Sequence, residues 1–215
     1  MVLKLYGSGF AFGRVLLVIL ELGLPYEHIL VDITKLEQKS PEHLKLQPFG
    51  KVPVLDDDGF VIFESKAICR YLVGKYGSKS ALLPRDDAKA HARFEQACSV
   101  EYSYFAPASD GLGIELVVKQ LFSLGAPDQA LVAKYEADLE SVLVYYDELL
   151  STQSYLAGDE LTLVDLFHLP NAGGLKDIGY GEMFKKYPHV DAWLSKLQDR
   201  ETWKEASLIA GVRRT

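Results

Sequence analysis

The chain has 215 residues, 48% of them hydrophobic and 25% charged, with a formal net charge of -7. That is an ordinary globular balance, enough for one large or two small domains. The negative charge argues against a general affinity for nucleic acid or anionic membranes, and no apolar stretch approaches a membrane span or fits a signal peptide. Two cysteines, Cys69 and Cys98, lie far apart and match no metal spacing, so both are expected as core thiols in a reducing compartment.

In chain order, Val2 to Tyr6 alternates and predicts a strand. The run Gly7-Ser-Gly-Phe-Ala-Phe-Gly13 reads as a glycine-rich loop, and Arg14 to Leu22 as a buried helix ending before Gly23. Tyr26 to Val31 predicts a second strand. Ser40-Pro41 is a helix start, with an N-cap hydroxyl followed by a residue whose missing N–H is harmless there. Val52 to Leu55 and Phe60 to Phe63 predict a hairpin around Asp56-Asp-Asp-Gly59, and Glu64-Ser65 opens a helix to about Tyr76. The order β-α-β-α-β-β-α, with a right-handed crossover and a tight hairpin, predicts a four-stranded mixed sheet covered by helices, a thioredoxin-like layout.

Beyond Ser78 the pattern changes. Residues 79–87 read as a linker, and helical periodicity takes over in Ala88 to Phe105, Ile114 to Leu124, Pro127 to Leu150, Leu163 to Leu169 and Val190 to Leu197. The predicted fold class is therefore α+β in a first domain, residues 1–78, followed by an all-α domain, residues 88–215. Thr162-Leu-Val-Asp165 is a capping-box variant, read as a folding element, and His168 beside Pro170 is read as structural.

Several segments in this order together resemble the glutathione transferases, and within them the phi class of plants and fungi. They are Lys4-Leu-Tyr-Gly7, Arg14-Val-Leu16, Glu37-Gln-Lys-Ser-Pro41, Gln47-Pro-Phe-Gly-Lys-Val-Pro53, Phe63-Glu-Ser-Lys-Ala-Ile68, Leu161-Thr-Leu-Val-Asp165 and His168-Leu-Pro-Asn171. The resemblance covers nearly the whole chain. It implies the glutathione transferase fold, glutathione as co-substrate with no metal, a cytoplasmic enzyme, and a homodimer in which Phe49 is an interface anchor.

The resemblance also distributes glutathione over the first domain. The Val52-Pro53 bond is expected to be cis, which turns the Val52 backbone towards an extended peptide such as the cysteinyl unit. Glu64 and Ser65, at a helix start with free N–H groups, suit the ammonium and carboxylate of the γ-glutamyl end. Gln38, Lys39 and Lys51 are assigned to the glycyl carboxylate, for which a lysine acts as a point charge. Lys51 stands where the family often has glutamine.

One departure bears on catalysis. Phi-class relatives carry a serine, four residues after the glycine that ends the first strand, whose hydroxyl stabilises the thiolate. Here that count falls on Ala11, and counting back from Arg14 it falls on Gly9. Ser8 is the remaining hydroxyl candidate, with backbone N–H groups of the loop as the alternative. Phe10, Ala11, Phe12, Tyr104 and Phe105 are the candidate lining of an apolar pocket for the electrophile. The expected function is a transferase acting on small hydrophobic electrophiles. The alternative is a glutathione-binding carrier of aromatic small molecules with little activity.

Overall fold

The computed structural model describes residues 2–78 and 80–211. The chain divides into two compact units, one of Met1–Ser80 with Arg200–Thr215, the other of Ala81–Asp199.

The first unit is built on strands β1 (Leu3–Tyr6), β2 (Tyr26–Ile29), β3 (Val54–Asp57) and β4 (Phe60–Phe63), arranged β2-β1-β3-β4. β1 and β2 are parallel, while β3 is antiparallel to both β1 and β4. This is the mixed sheet the sequence predicts. β3 starts two residues later than expected and extends to Asp57, so the hairpin turn contracts to Asp58-Gly59. Both turn residues have positive φ, 56° and 88°, the geometry that matches the twist of a two-residue hairpin.

Helices α1 (Gly9–Glu21), α2 (Pro41–Leu46) and α3 (Ser65–Tyr76) complete this layer. At the start of α2, the Ser40 hydroxyl accepts from the His43 N–H at 3.2 Å, the expected cap. The start of α1 differs from expectation. The glycine-rich stretch is not a loop up to Gly13, because the helix begins at Gly9. Two glycines in the first turns oppose helix formation, but every residue from Phe12 to Ile19 is buried, and packing of that face outweighs propensity. Leu5, Val15, Leu16, Ile19, Leu55, Ile68 and Leu72 form the fully enclosed centre of the unit.

The second unit is helical, with α4 (Ala88–Val100), α5 (Ala106–Gly113), α6 (Lys119–Leu121), α7 (Gln129–Leu150), α8 (Leu163–Leu175), α9 (Gly181–Lys185) and α10 (Pro188–Gln198). The gap expected after Phe105 is absent: π-helical turns at Glu101–Phe105 and Ile114–Val118 carry the chain from α4 to α6 as helix throughout. At α8 the capping box forms, with the Thr162 N–H donating to the Asp165 carboxylate at 2.9 Å. Asp165 also accepts from the Leu156 N–H and the Trp193 indole, which ties three segments together. His168 is a core residue, as its sequence context indicated. Its Nδ1 lies 2.7 Å from the Val164 carbonyl, which can only accept, so Nδ1 carries the hydrogen and Nε2 accepts from the Tyr146 hydroxyl at 3.0 Å.

The expected helical domain of residues 88–215 does not hold as one unit. Its last helix, α11 (Glu201–Ile209), belongs with the first unit and lies antiparallel to α1. At one end Arg200 makes a two-pronged ion pair with Glu21, at 2.7 and 2.5 Å, joined by the Thr202 hydroxyl. At the other end the Gly9 N–H donates to the Ala210 carbonyl at 3.2 Å. Trp203, Ala206 and Ser207 form its buried face. So short an apolar stripe, with polar residues around it, gave too weak a period to be read from the sequence.

Candidate functional site

The strand register assembles the site. Tyr6 pairs with Val54, and Val54 pairs with Phe63. The next residues, Gly7, Pro53 and Glu64, therefore meet at one end of the sheet, beside the amino ends of α1 and α3. The Val52-Pro53 peptide bond is cis, as expected. Gly7 has φ of 140°, and a Cβ on it would stand 3.0 Å from the Val52 Cβ. Glycine is what lets the end of β1 approach the Val52-Pro53 segment so closely.

Two histidines that the sequence reading passed over hold this segment. His43 on α2 meets the Lys51 carbonyl at 2.8 Å through Nε2, while the Lys51 N–H donates to the Gln47 side chain at 3.2 Å. His28 on β2 meets the Gly7 carbonyl at 2.9 Å and stacks on Phe12 at 4.4 Å between ring centroids. The Lys39 ammonium donates to the Phe49 carbonyl at 2.9 Å, and its stem lies across Gly50, where a Cβ would meet it at 2.6 Å. Lys51 is exposed. The Gln38 Oε1 is buried without a hydrogen-bond partner, an acceptor facing no protein donor.

At the other side of the cis-proline, Ser65 is the first residue of α3 and is buried. Its hydroxyl oxygen accepts from Nη1 of Arg14 at 2.9 Å. Arg14 is itself buried, reaching from α1 to the start of α3. The sequence reading assigned it no role, although a lone cation inside the apolar run Arg14 to Leu20 was a signal. Glu64 is exposed and has φ of 73°, a left-handed conformation rare outside glycine. Such strain concentrates at ligand clamps.

The amino end of α1 departs from the expected picture. Ser8 occupies the N-cap position in extended conformation, yet its side chain does not cap the helix. Instead its hydroxyl donates to the Val31 carbonyl at 3.0 Å. Its single hydrogen is thus directed into the protein rather than at a ligand, against the expectation that it serves as the thiolate's donor. Phe12 is fully buried, with its ring against His28. Phe105 is also a core residue, 4.5 Å from the His168 ring. Both were expected at the pocket wall, and both were drawn inward because a large aromatic is most stable where its whole surface is covered. Phe10 and Tyr104 are exposed and Ala11 is half-buried.

The family models give this geometry its class. The glutathione S-transferase N-terminal domain matches residues 1–74 and the glutathione S-transferase C-terminal domain matches residues 96–201. Among curated proteins, glutathione S-transferase hmp2 of Hypomyces subiculosus is 59% identical over 211 residues, covering 98% of this chain and all of the relative. Glutathione S-transferase F10 of Arabidopsis thaliana is 39% identical over 209 residues, 96% of this chain and 97% of the relative. Glutathione transferase F7 of Populus trichocarpa superposes with a TM-score of 0.92 at 32% identity, covering 97% of this chain and 99% of the other. Glutathione S-transferase I from maize, solved with an atrazine glutathione conjugate, gives 0.90 at 32% identity over 98% and 99% of the two chains. The chain belongs to the glutathione S-transferase family, and its relatives are of the phi-like kind. It is a glutathione transferase enzyme with glutathione as its co-substrate.

Proposed function

We propose that this transferase holds the thiolate of glutathione at the amino end of α1 through backbone N–H groups of the first turn, without a side-chain hydroxyl. The observation that carries this is the Ser8 hydrogen bond to Val31, combined with a helix that starts at Gly9. The first N–H groups of a helix lack intrahelical partners and carry positive potential. Those of Phe10 and Ala11 suit a sulfur anion. Val52 pairs with the cysteinyl backbone as an added strand. Ser65 accepts from Arg14, which leaves its own hydrogen free to donate to the γ-glutamyl carboxylate, and Glu64 takes the ammonium. Lys39 and Lys51 attract the glycyl carboxylate, and the orphaned Gln38 oxygen accepts from a peptide N–H.

With the thiol proton lost to solvent, the thiolate forms a carbon–sulfur bond at the electrophilic carbon of a small hydrophobic substrate, and the leaving group departs with its electron pair. Phe10 is the apolar contact for that substrate. The carrier reading draws on the same fact, that Ser8 points elsewhere. An ultraviolet titration of bound glutathione separates the two. A thiol ionising well below its free value, unchanged in Ser8→Ala, supports backbone activation. An unshifted thiol on bound glutathione supports the carrier.

The enzyme is further proposed to act as a homodimer in the cytoplasm. Phe49 is 67% exposed, so its ring is available as an anchor for a second copy. The second unit carries a cavity of about 490 Å³ lined by Val100, Tyr104, Pro107, Val142 and Tyr145, which suits an aromatic anchor from another copy. Phe49→Ala is expected to raise the dimer dissociation constant by roughly 30-fold in sedimentation equilibrium, following hot-spot magnitudes. An unchanged constant would remove Phe49 from the interface.

A further inference from the structure

The α1 end proposed to hold the thiolate is not left to itself. The Gly9 N–H, first in the helix, already donates to the Ala210 carbonyl at the end of α11. One of the few free donors of that helix end is therefore occupied, and a carbonyl from the negative end of a second helix is laid beside it. At the far end, α11 is fastened by the Arg200 fork on Glu21 and by the Thr202 hydroxyl. Glu21 is almost wholly buried and Arg200 about one-third exposed, so this pair is only partly screened. The helix between is seated on Trp203, whose ring is fully enclosed but whose indole N–H finds no acceptor. A buried donor left unmatched destabilises the docked position. The seat of α11 thus combines a strong tether at one end, an imperfect fit in the middle and a backbone hydrogen bond at the end nearest the chemistry.

We propose that α11 is a restraining strap on the thiolate-binding end of α1: the Glu21–Arg200 tether keeps the Ala210 carbonyl on Gly9, withholding one donor from the bound sulfur. α1 also packs against α3 and β1, so releasing the Ala210 end of α11 leaves other supports beneath it. Releasing that end frees the Gly9 N–H and removes an opposing carbonyl, so the bound thiol becomes more acidic while the contacts of the γ-glutamyl and glycyl ends stay as they are. This inference rests on the reading that the thiolate sits at α1.

The test is the ultraviolet titration of glutathione on two pairs of proteins: a chain ending at Ile209 against a chain ending at Gly211, which keeps Ala210, and the full chain carrying Glu21→Gln against the full wild-type chain. The strap predicts that the chain ending at Ile209 and the Glu21→Gln protein each ionise bound thiol about half a pH unit lower than their own reference, with glutathione affinity measured at low pH changed by less than about twofold. An equal or higher thiol value in either overturns the strap, and shows α11 to be a support or a bystander. If the shortened chain does not fold, the Glu21→Gln protein alone decides. If the references bind glutathione with an unshifted thiol, it is the α1 reading that fails, and the strap fails with it.

Discussion

Two serines stand at the amino ends of two helices on the same edge of one sheet, and they are polarised in opposite directions. Ser65, at α3, accepts a hydrogen bond from the buried Arg14, which frees its own hydrogen for a ligand. Ser8, at α1, gives its hydrogen to the Val31 carbonyl, which leaves the backbone N–H groups as the donors in the proposed thiolate site. The two helices are also fastened differently. α3 is held at its far end by Asp57 of β3, whose buried carboxylate accepts from Lys75, Tyr71 and Tyr76 at 2.7 to 2.9 Å. α1 is held by the separately returning α11. A helix start reads an anion by side chain or by main chain according to where the N-cap hydroxyl finds its best partner, and the identity of the N-cap residue does not settle which.

The largest effect is expected where α3 is fastened. Asp57→Asn leaves Lys75 and two tyrosine hydroxyls without their anion and is expected to destabilise the protein by about 3 kcal/mol, read from urea unfolding. Burial acts against the Asp57 charge, but the hydrogen bonds from Lys75, Tyr71 and Tyr76 outweigh it and hold the carboxyl below its ordinary value. A depressed folded value means that this contribution is complete above the carboxylate's unfolded value and is lost as pH falls through the folded one. The gap in urea midpoint between wild type and Asp57→Asn should therefore narrow in acid. A gap independent of pH would mean that shape, rather than charge, fastens α3.

Next in size, Ser65→Ala removes the hydroxyl that Arg14 orients. Glutathione affinity should fall roughly 30-fold by calorimetry, the value of a hydrogen bond to a charged group. Unaltered binding would move the γ-glutamyl end away from α3. The smallest effect sharpens the contrast most. Ser8→Ala should alter stability by about 1 kcal/mol or less, the worth of one neutral hydrogen bond, and should leave glutathione affinity and the bound thiol's acidity unchanged. A rise of a full pH unit in the thiol value would show that Ser8 leaves Val31 when ligand binds, and the two serines would then act alike.

Much of this site was legible in the residues. The sheet, the helix start at Glu64-Ser65 and the capping box at Thr162 follow from local rules, since turn residues and N-caps act over a few positions, while the cis bond at Val52-Pro53 was expected from the family resemblance. Partners far apart in the chain were not legible. Arg14 to Ser65 spans two helices and three strands, and Phe12 was read as a pocket wall because its burial depends on His28 of β2. The helix start at Gly9 was hidden for a related reason: its glycines argue for a loop, and only the packing of the face that follows overrules them.

The sequence by itself determined the order of elements, the mixed sheet, the change to helices beyond residue 80 and the family. The elements, the sheet and the change to helices rest on periodicity and turn chemistry, which are written in consecutive residues, and the family rests on the resemblance of its motifs. Tertiary structure alone decided which way each serine's hydrogen points, which aromatics are core, and that the last helix returns to the first unit to close on α1. Each of those is a competition between distant partners for one hydrogen or one surface, and it is settled only once both are in place.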